Sequence, residues 1–458
     1  MEDLLSSYAA KLEALARREG LDYDPVVFEQ VPDSFMTEVA VYGLPVRMPH
    51  WSFGVRYIYR FVQHRMGHSR MFEVMFPGCP NRAYLATRNS LEENTLVTAH
   101  VLGHADFSRN NLLFRKVRDE VGHHIVEQAA AHARQITDAI EAHGEARVEA
   151  VLDAALALEQ YIDVQQCLRR ERYPEYLAEK PPPVPDDFRS RFERLDTARE
   201  PRTGPKELHR APLPPAPERD LLWFVANYAP ELEGWERDIF LAVREESFYF
   251  YPVFACQIMN EGWASFWHAR LLREADFLPQ QVYLDAIKAH SDVVRPYAGE
   301  REIALSVNPY HLGFRMWEAI VAERGLDAAR RIVQEDDDFS FVRNYLTEDL
   351  AEKLNLFSYA AGPDGDVRVQ EQDVDRLREA LLAPKFNFGG PSVCAIRVGV
   401  DGSLELRHDH EVDGRGLDVD RAERVLEYVY RVWRRPVTLT TVDELGNPNT
   451  LTVSAPRS

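Results

Sequence analysis

The fold is decided by residues 92–107, EENTLVTAHVLGHADF. Acidic residues at the start of this stretch and apolar residues at helical spacing predict an α-helix. His100 and His104 are four residues apart, about 40° apart around a helix, so both imidazoles can reach one point beside it. That is the geometry of a metal-ligating helix. The spacing alone is weak evidence, because His64 and His68 repeat it and many histidines only satisfy polar groups.

A second predicted helix, residues 260–268 (NEGWASFWH), carries further polar side chains. Glu261 and His268 are seven residues apart and therefore share one helix face. Gly262 and Ala264 are small enough to let another helix pack closely. A carboxylate among the three aromatic residues of this stretch is costly unless it is paired, hydrogen-bonded or bound to a metal. Pairing with an arginine in a structural network is the alternative to metal binding.

Together, His100, His104 and Glu261 would supply two imidazoles and one carboxylate, the open three-ligand set of many catalytic zinc sites. We expect one divalent transition metal, zinc or iron, because imidazole and carboxylate suit both metals and no thiolate is offered. His268 is a candidate fourth ligand or proton carrier. The aromatic neighbours of Glu261 are expected to keep the site dry.

Zinc peptidases of the gluzincin type carry His-Glu-x-x-His on one helix and a Glu-Gly-x-Ala-like stretch on the next, and this comparison allows a zincin-like helical core. The second half is similar here, but Val101 stands where the general-base glutamate would be. A hydrolase would need its base elsewhere, and Asp106 and His268 are the candidates. The missing glutamate argues against ordinary peptidase chemistry.

Composition excludes several classes of protein. The 458 residues are 45% hydrophobic and 28% charged, which predicts a folded chain with more than one domain. A net charge of −20 opposes binding to nucleic acid and anionic lipid. The sequence shows no apolar run long enough for a membrane helix and no signal-peptide pattern, so we expect a cytoplasmic protein. The four cysteines are far apart and predict no disulfide framework.

Helical periodicity predicts a mainly α-helical N-terminal domain over residues 1–360. A proline-rich excursion over residues 174–217 interrupts it, and the helical blocks on either side are expected to pack as one domain. Residues 220–244 are the first predicted helix after the excursion. Residues 385–458 alternate as strands around one amphipathic helix and predict a small α+β domain of β-β-α-β-β order.

Longer strings of the sequence resemble the stage V sporulation protein R (SpoVR) family over nearly the whole chain. They are long, ordered and rare, so the chain is identified as a member of that family on sequence alone. The strings that carry the resemblance are Pro49-His50-Trp51-Ser52-Phe53-Gly54, the run from Ala99 through His104 to Asp106-Phe107 and Asn110-Asn111, Asn260-Glu261-Gly262-Trp263-Ala264 with His268, Asn308-Pro309-Tyr310 with Leu312-Gly313, and the segment from Asn387-Phe388-Gly389 to Arg435-Pro436.

The resemblance implies a link to formation of the spore cortex peptidoglycan. Members also occur in bacteria that form no spores, which implies a broader envelope or stress role. Members are often encoded beside a serine protein kinase and a von Willebrand A domain protein, and these two are the partners that the resemblance implies. It implies no agreed activity.

Four further polar residues are candidates for the site. Asn110 and Asn111 follow the first predicted helix and either cap it or hold a substrate amide. His290 is either a buried histidine with satisfied hydrogen bonds or a residue that orients a metal ligand. Asn308 precedes Pro309 and is predicted to cap a helix.

Two functional hypotheses follow from these residues. The first is a metal-dependent hydrolase of amide bonds in peptides or peptidoglycan precursors, with His100, His104 and Glu261 as ligands. The second is a non-enzymatic regulatory scaffold, in which the same residues form a structural metal site or a polar core. Val101 favours the scaffold, whereas an open three-ligand site favours the enzyme.

Overall fold

The computed structural model describes residues 2–53, 56, 72–166, 173, 212–295, 308–356, 358–361, 367–371 and 373–455. The chain forms two compact units, the first combining Met1–Gln160 with Gly234–Gly390 and the second combining Tyr161–Glu233 with Pro391–Ser458. His64, His68 and most of the proline-rich excursion lie outside the described residues.

The described elements are mainly helices, followed by a small α+β region at the C-terminal end, as the sequence predicts. Among the described residues, no helix is long and apolar enough to cross a membrane. In chain order the elements are α1 (Glu2–Arg18), β1 (Val26–Val31), α2 (Asp33–Tyr42), β2 (Glu73–Phe76), β3 (Asn81–Ala86), α3 (Leu91–Asn110), α4 (Leu112–Val121), α5 (Ile125–His143), α6 (Glu145–Ala157), α7 (Leu221–Tyr228), α8 (Gly234–Ala255), α9 (Gln257–Glu274), α10 (Gln280–Val293), α11 (Pro309–Arg324), α12 (Leu326–Glu335), α13 (Asp338–Tyr345), α14 (Glu348–Lys353), β4 (Ser358–Ala361), β5 (Val367–Glu371), α15 (Val374–Leu382), a 3-10 helix (Ala383–Gly389), β6 (Val393–Val398), β7 (Leu404–His408), α16 (His410–Asp413), α17 (Val419–Trp433), β8 (Val437–Val442) and β9 (Pro448–Val453).

Helix α3 runs through the interior of the first unit. It begins with a capping box, in which Ser90 Oγ accepts from the Glu93 amide and the Ser90 amide donates to Glu93 Oε2. Every residue from Asn94 to Ser108 is buried, so the helix is covered on all sides. Its two histidines therefore lie in the core.

A small sheet packs beside α3. Strand β3 lies between β1 and β2, parallel to the first and antiparallel to the second. Both β2 and β3 contact α3. Glu73, the first residue of β2, is paired with Leu85 of β3. The sheet thus brings a carboxylate near the central helix.

Helix α9 crosses α3 and α11 at very short range, and small residues make this approach possible. A Cβ added to Gly262 would lie 2.3 Å from the carbonyl carbon of Gly313 on α11, and one added to Gly103 would lie 2.7 Å from Cα of Ala264. Real Cβ atoms do not tolerate such distances. The three backbones can therefore meet only where these side chains are absent or minimal.

The start of α9 is fixed from far along the chain. Asp338 is completely buried, and its two oxygens accept the amides of Ile258 and Met259, each at 2.9 Å. Lys385 Nζ lies 3.0 Å from the same carboxylate. Burial raises the pKa of Asp338 to about 6, although the lysine and the two amides act to lower it. The carboxylate thus pairs two amides at the start of α9 that have no partner within the helix.

The second unit contains a four-stranded sheet of order β6-β7-β8-β9. Strands β7 and β8 are parallel and are joined through α17, whereas the outer pairs are antiparallel hairpins. Trp433 of α17 is completely buried, stacks on Phe224 and donates to the carbonyl of Gly402 at 2.7 Å. The predicted β-β-α-β-β order is confirmed, with the short helix α16 added.

The first predicted helix after the excursion is wrong in its extent. Residues 220–244 contain two helices, because α7 ends at Tyr228 and α8 begins at Gly234. Pro230 disfavours the helical conformation of Ala229, which is extended, with ψ of 127°. Helix α8 then continues to Ala255 and includes Pro252.

A buried charge network joins α5 to α8. Glu246 is completely buried; Arg47 Nε donates to its Oε2 at 2.7 Å, and His132 Nδ1 lies 3.3 Å from its Oε1. The other ring nitrogen of His132 lies 3.3 Å from Glu245. Burial lowers the pKa of His132, but the two carboxylates outweigh it and raise the pKa to about 9.

We predict that His132→Gln reduces the pH dependence of stability above pH 6.5. Because the pKa of His132 is about 9 in the folded protein and ordinarily 6.5, the protonated ring stabilises the fold fully below pH 6.5. That contribution is lost as the pH rises through 9. We expect a loss of about 1–2 kcal/mol in the wild type that the variant does not show, since partial exposure weakens the interaction. Denaturant unfolding measures the free energy of unfolding of both proteins between pH 6.5 and 9. An equal change with pH in wild type and His132→Gln would contradict this prediction.

We predict that Gly262→Ala lowers the free energy of unfolding by about 2–3 kcal/mol, because the added methyl forces α9 and α11 apart. Gly234→Ala is the matched control, since nothing lies within 4 Å of a Cβ at that position. It should change stability by less than about 0.5 kcal/mol. Chemical denaturation of both variants measures the difference, and equal effects would show that the crossing tolerates a methyl group.

Candidate metal centre

Two helices bring three side chains together. His100 and His104 project from α3 with ring centroids 4.5 Å apart, and Glu261 projects from α9. Glu261 Oε2 lies 3.6 Å from Nε2 of His100 and 3.4 Å from Nε2 of His104. One ligand atom of each residue lies within 4.8 Å of the other two. The structure thus groups the three residues that the sequence analysis named as ligands.

Hydrogen bonds hold the other ring nitrogen of each histidine. His104 Nδ1 donates to Oδ1 of Asn260 at 2.8 Å, so Nε2 is the nitrogen that can offer a lone pair to a metal. His100 Nδ1 lies 2.9 Å from Nδ1 of His268, whose Nε2 lies 2.5 Å from Nδ1 of His290. In the assignment that leaves Nε2 of His100 free for a metal, His100 donates to His268 and His268 donates to His290. Both α3 histidines then present Nε2 lone pairs, as metal-bound histidines with outer partners do.

Two buried atoms at this point have no hydrogen-bond partner within the described part of the chain. They are Nε2 of His100 and Oε2 of Glu261. The separation of 3.6 Å between them is too long for a hydrogen bond. Leaving a buried polar atom unsatisfied costs about 1–3 kcal/mol. A cation between the imidazoles and the carboxylate would satisfy both atoms, so the residues fit a metal ion.

The charges of the cluster support one another. Burial alone would raise the pKa of Glu261, but His104 and His100 outweigh it and hold the pKa well below its ordinary value. Burial likewise lowers the pKa of His104, but the charge of Glu261 outweighs it and the net shift is upward. The carboxylate is therefore ionised and ready to bind a cation.

The two outer histidines are neutral. His268 is completely buried, and burial together with the neighbouring imidazoles lowers its pKa well below the ordinary value. Burial and then the charges of Arg273 and Arg315 lower the pKa of His290 to about 4. His268 lies behind His100 and faces its Nδ1, the nitrogen turned away from Glu261. This position suits orientation of His100 rather than direct ligation.

Asp106 does not join the cluster. Two residues beyond His104, it lies about 200° further around α3. Its carboxylate accepts from Trp263 Nε1 and from the Asp22 amide, both at 2.8 Å. Burial raises its pKa to about 6, although these hydrogen bonds lower it. The general-base role predicted for Asp106 gains no support from this position.

The aromatic residues of α9 also face away from the site. Trp263 lies two residues after Glu261 and therefore about 200° around the helix. Its ring packs edge-on against Trp317 of α11, with centroids 4.9 Å apart. Trp267 is buried in the same core. The expectation that these rings keep the site dry gains no support, because the helical period directs Trp263 and Trp267 into the core.

The three asparagines make structural contacts. Asn110 donates to the carbonyl of Asp106, one turn earlier on α3. Asn111 is completely buried and accepts the first amides of α4 as its cap. Asn308 caps α11 by accepting an amide of its first turn, as predicted. Capping, rather than substrate binding, is thus the role that the contacts of Asn111 and Asn308 describe.

Three neighbours of the cluster were missed by the sequence analysis. Asn260 and Tyr310 belong to the strings that carry the family resemblance, and their place in those strings could have indicated them. Glu73 lies in none of these strings. The Tyr310 ring stacks on His100 with centroids 6.1 Å apart, and the charge of Glu261, followed by burial, raises its pKa well above the ordinary value. Burial also raises the pKa of Glu73, although His100 opposes the shift.

Comparisons with known proteins agree with the sequence strings. The family model described as SpoVR like protein matches residues 1–389, and the one described as SpoVR-like C-terminal domain matches residues 392–444. The uncharacterized protein YcgB of Escherichia coli (strain K12) is 27% identical, over 99% of this chain and 95% of that protein. No solved structure matches the chain. Since the family models cover nearly all of its length, the chain belongs to the SpoVR family.

Proposed function

We propose that His100, His104 and Glu261 bind one divalent transition metal, zinc or iron, and that the protein is a metal-dependent hydrolase of amide bonds. The observation that supports this is the pair of buried, unpartnered atoms on His100 and Glu261, which face the same point. Hydrogen bonds at Nδ1 of His100 and Nδ1 of His104 fix the orientation of both imidazole rings. A purely structural polar core would satisfy these atoms itself.

The donor set suits the chemistry. Two imidazoles and a carboxylate favour zinc or iron, and three protein ligands leave a position open, whereas structural zinc usually has four. Such a metal supplies a Lewis acid that polarises a carbonyl and lowers the pKa of water. The side chains of His100 and His104 are 3% and 11% exposed, against 20% for Glu261. Glu261 is therefore the most exposed of the three ligand side chains.

Tyr310 is the natural hydrogen-bond donor of this site. A tyrosine hydroxyl is protonated at neutral pH, the charge of Glu261 raises the pKa of Tyr310 further, and its ring lies against His100. A neutral hydroxyl can stabilise negative charge that develops on a carbonyl oxygen. Tyr310 would thus bind and orient the amide that is cleaved.

A regulatory scaffold is the second proposal. Val101 is completely buried in the hydrophobic core, so α3 offers no general base at that position. In this case the protein acts in the cytoplasm with a serine protein kinase and a von Willebrand A domain protein, in spore cortex formation, envelope maintenance or stress response. Family membership supports these assignments, and the metal test below separates a metal centre from a purely polar core.

We predict that the purified protein holds about one zinc or iron ion and that His100→Ala and Glu261→Ala empty the site, because each removes one of three ligands. His64→Ala is the control, because His64 and His68 have the same four-residue spacing as His100 and His104 but are not among the proposed ligands. Elemental analysis of protein purified without chelators measures the content. Unchanged metal in both ligand variants would refute the assignment.

The hydrolase is tested on the same proteins. Mixtures of short peptides and peptidoglycan-derived peptides are incubated with wild type, with wild type treated with a chelator, and with His100→Ala, and products are identified by mass spectrometry. We expect cleavage by the untreated wild type alone. Bound metal without cleavage of any amide would favour the scaffold.

We predict that His268→Ala weakens metal binding by about 10- to 100-fold, as loss of an outer partner of a metal-bound histidine does. Asp106→Asn should leave the metal affinity unchanged, because Asp106 faces the opposite side of α3. Competition with a chromogenic chelator measures both affinities. If Asp106→Asn lowers the affinity as much as His268→Ala, the side of the helix assigned to the site is wrong.

A further inference from the structure

Glu73 approaches the cluster from an element that carries none of the three ligands. It begins strand β2, and its Oε1 lies 3.9 Å from Nε2 of His100. Glu261 reaches the same nitrogen at 3.6 Å from α9. His100 therefore presents its free nitrogen to two carboxylates that belong to different elements.

The two carboxylates are not equivalent. Among the described residues, the mutually close group of ligand atoms comprises His100, His104 and Glu261 but not Glu73. In that same part of the chain, no lysine or arginine forms an ion pair with Glu73. Its side chain is 18% exposed. Glu73 is thus a carboxylate beside the ligand group that has no lysine or arginine partner among the described residues.

Glu73 is a candidate for the general base that is missing at position 101. Val101 and Asp106 are both turned away from the cluster on α3, and His268 lies behind His100. A hydrolytic site still needs a proton acceptor close to the attacking water. Glu73 is a carboxylate beside His100, and it belongs to a strand that packs against α3.

We infer that Glu73 is the general base of the proposed hydrolase, an inference that rests on the proposed function. Water attacks the amide carbonyl carbon, its oxygen forms the new C–O bond, and one of its protons passes to the Glu73 carboxylate. The C–N bond then breaks, and Glu73 returns the proton to the leaving nitrogen. One amide and one water give one carboxylic acid and one amine, and Glu73 ends as it began.

The test uses the full-length protein loaded with cobalt(II), with acetohydroxamate as the probe. This probe binds a metal through two oxygens and hydrogen-bonds to a neighbouring carboxylate, so it reports on the base independently of any substrate. We expect Glu73→Gln to keep one metal per chain and to bind acetohydroxamate about 10- to 100-fold more weakly, because a charged hydrogen bond is lost. The visible absorption of cobalt measures binding.

Glu29→Gln is the matched control, since Glu29 lies in the same sheet and pairs with Arg82. It should bind acetohydroxamate as the wild type does. Glu73→Asp keeps the charge with a shorter side chain, should also keep the metal, and should weaken the probe less than Glu73→Gln. It provides the readout if the glutamine variant does not fold.

The outcomes separate the two proposals. Wild-type protein that takes up no metal overturns both of them. Metal retained in Glu73→Gln with unchanged probe binding overturns the role of Glu73 and leaves the metal centre standing. Loss of metal from both Glu73 variants makes Glu73 a ligand and also overturns its role as base.

Discussion

The close approach of three helix backbones is the constraint on which the rest of the structure depends. Gly262 meets Gly313, and Gly103 meets Ala264, at distances that leave no room for larger side chains. These contacts place α9 between α3 and α11. Because Glu261 directly precedes Gly262, and His104 directly follows Gly103, the crossings also determine how near the ligand atoms lie. Packing and chemistry thus use adjacent residues of the same helices.

At these crossings, burying a polar group without a hydrogen-bond partner costs free energy, and most of the polar side chains there are hydrogen-bonded. The row from His100 through His268 to His290 fixes ring orientation, and Asn260 does the same for His104. Among the buried atoms of the described residues that have no hydrogen-bond partner, His100 Nε2 and Glu261 Oε2 face each other between two helices. Two unsatisfied atoms on neighbouring helices that face each other at 3.6 Å have the properties of a binding site.

The sequence predicted the site through features that are local to single helices. The spacing of His100 and His104 and the position of Glu261 depend only on the helical period. Glu73 could not be found, because its closeness to His100 depends on how the sheet packs against α3 and not on the helical period. The helical period also shows that Asp106 points away from His104, and this was not used in predicting Asp106 as a general base. The break at Pro230 was likewise readable, since proline restricts the preceding residue.

The carboxylate of Asp338 has a consequence for the order in which the chain can be completed. It accepts the amides at the start of α9 from 80 residues further along the sequence, and Lys385 pairs with it from further still. A nascent chain that ends before these residues has α9 without the acceptor for its first turn. The turn of α9 that precedes Glu261 is therefore completed by a residue that is synthesised 80 positions after Ile258. The helix that carries this ligand depends on the last part of the unit as well as on its own segment.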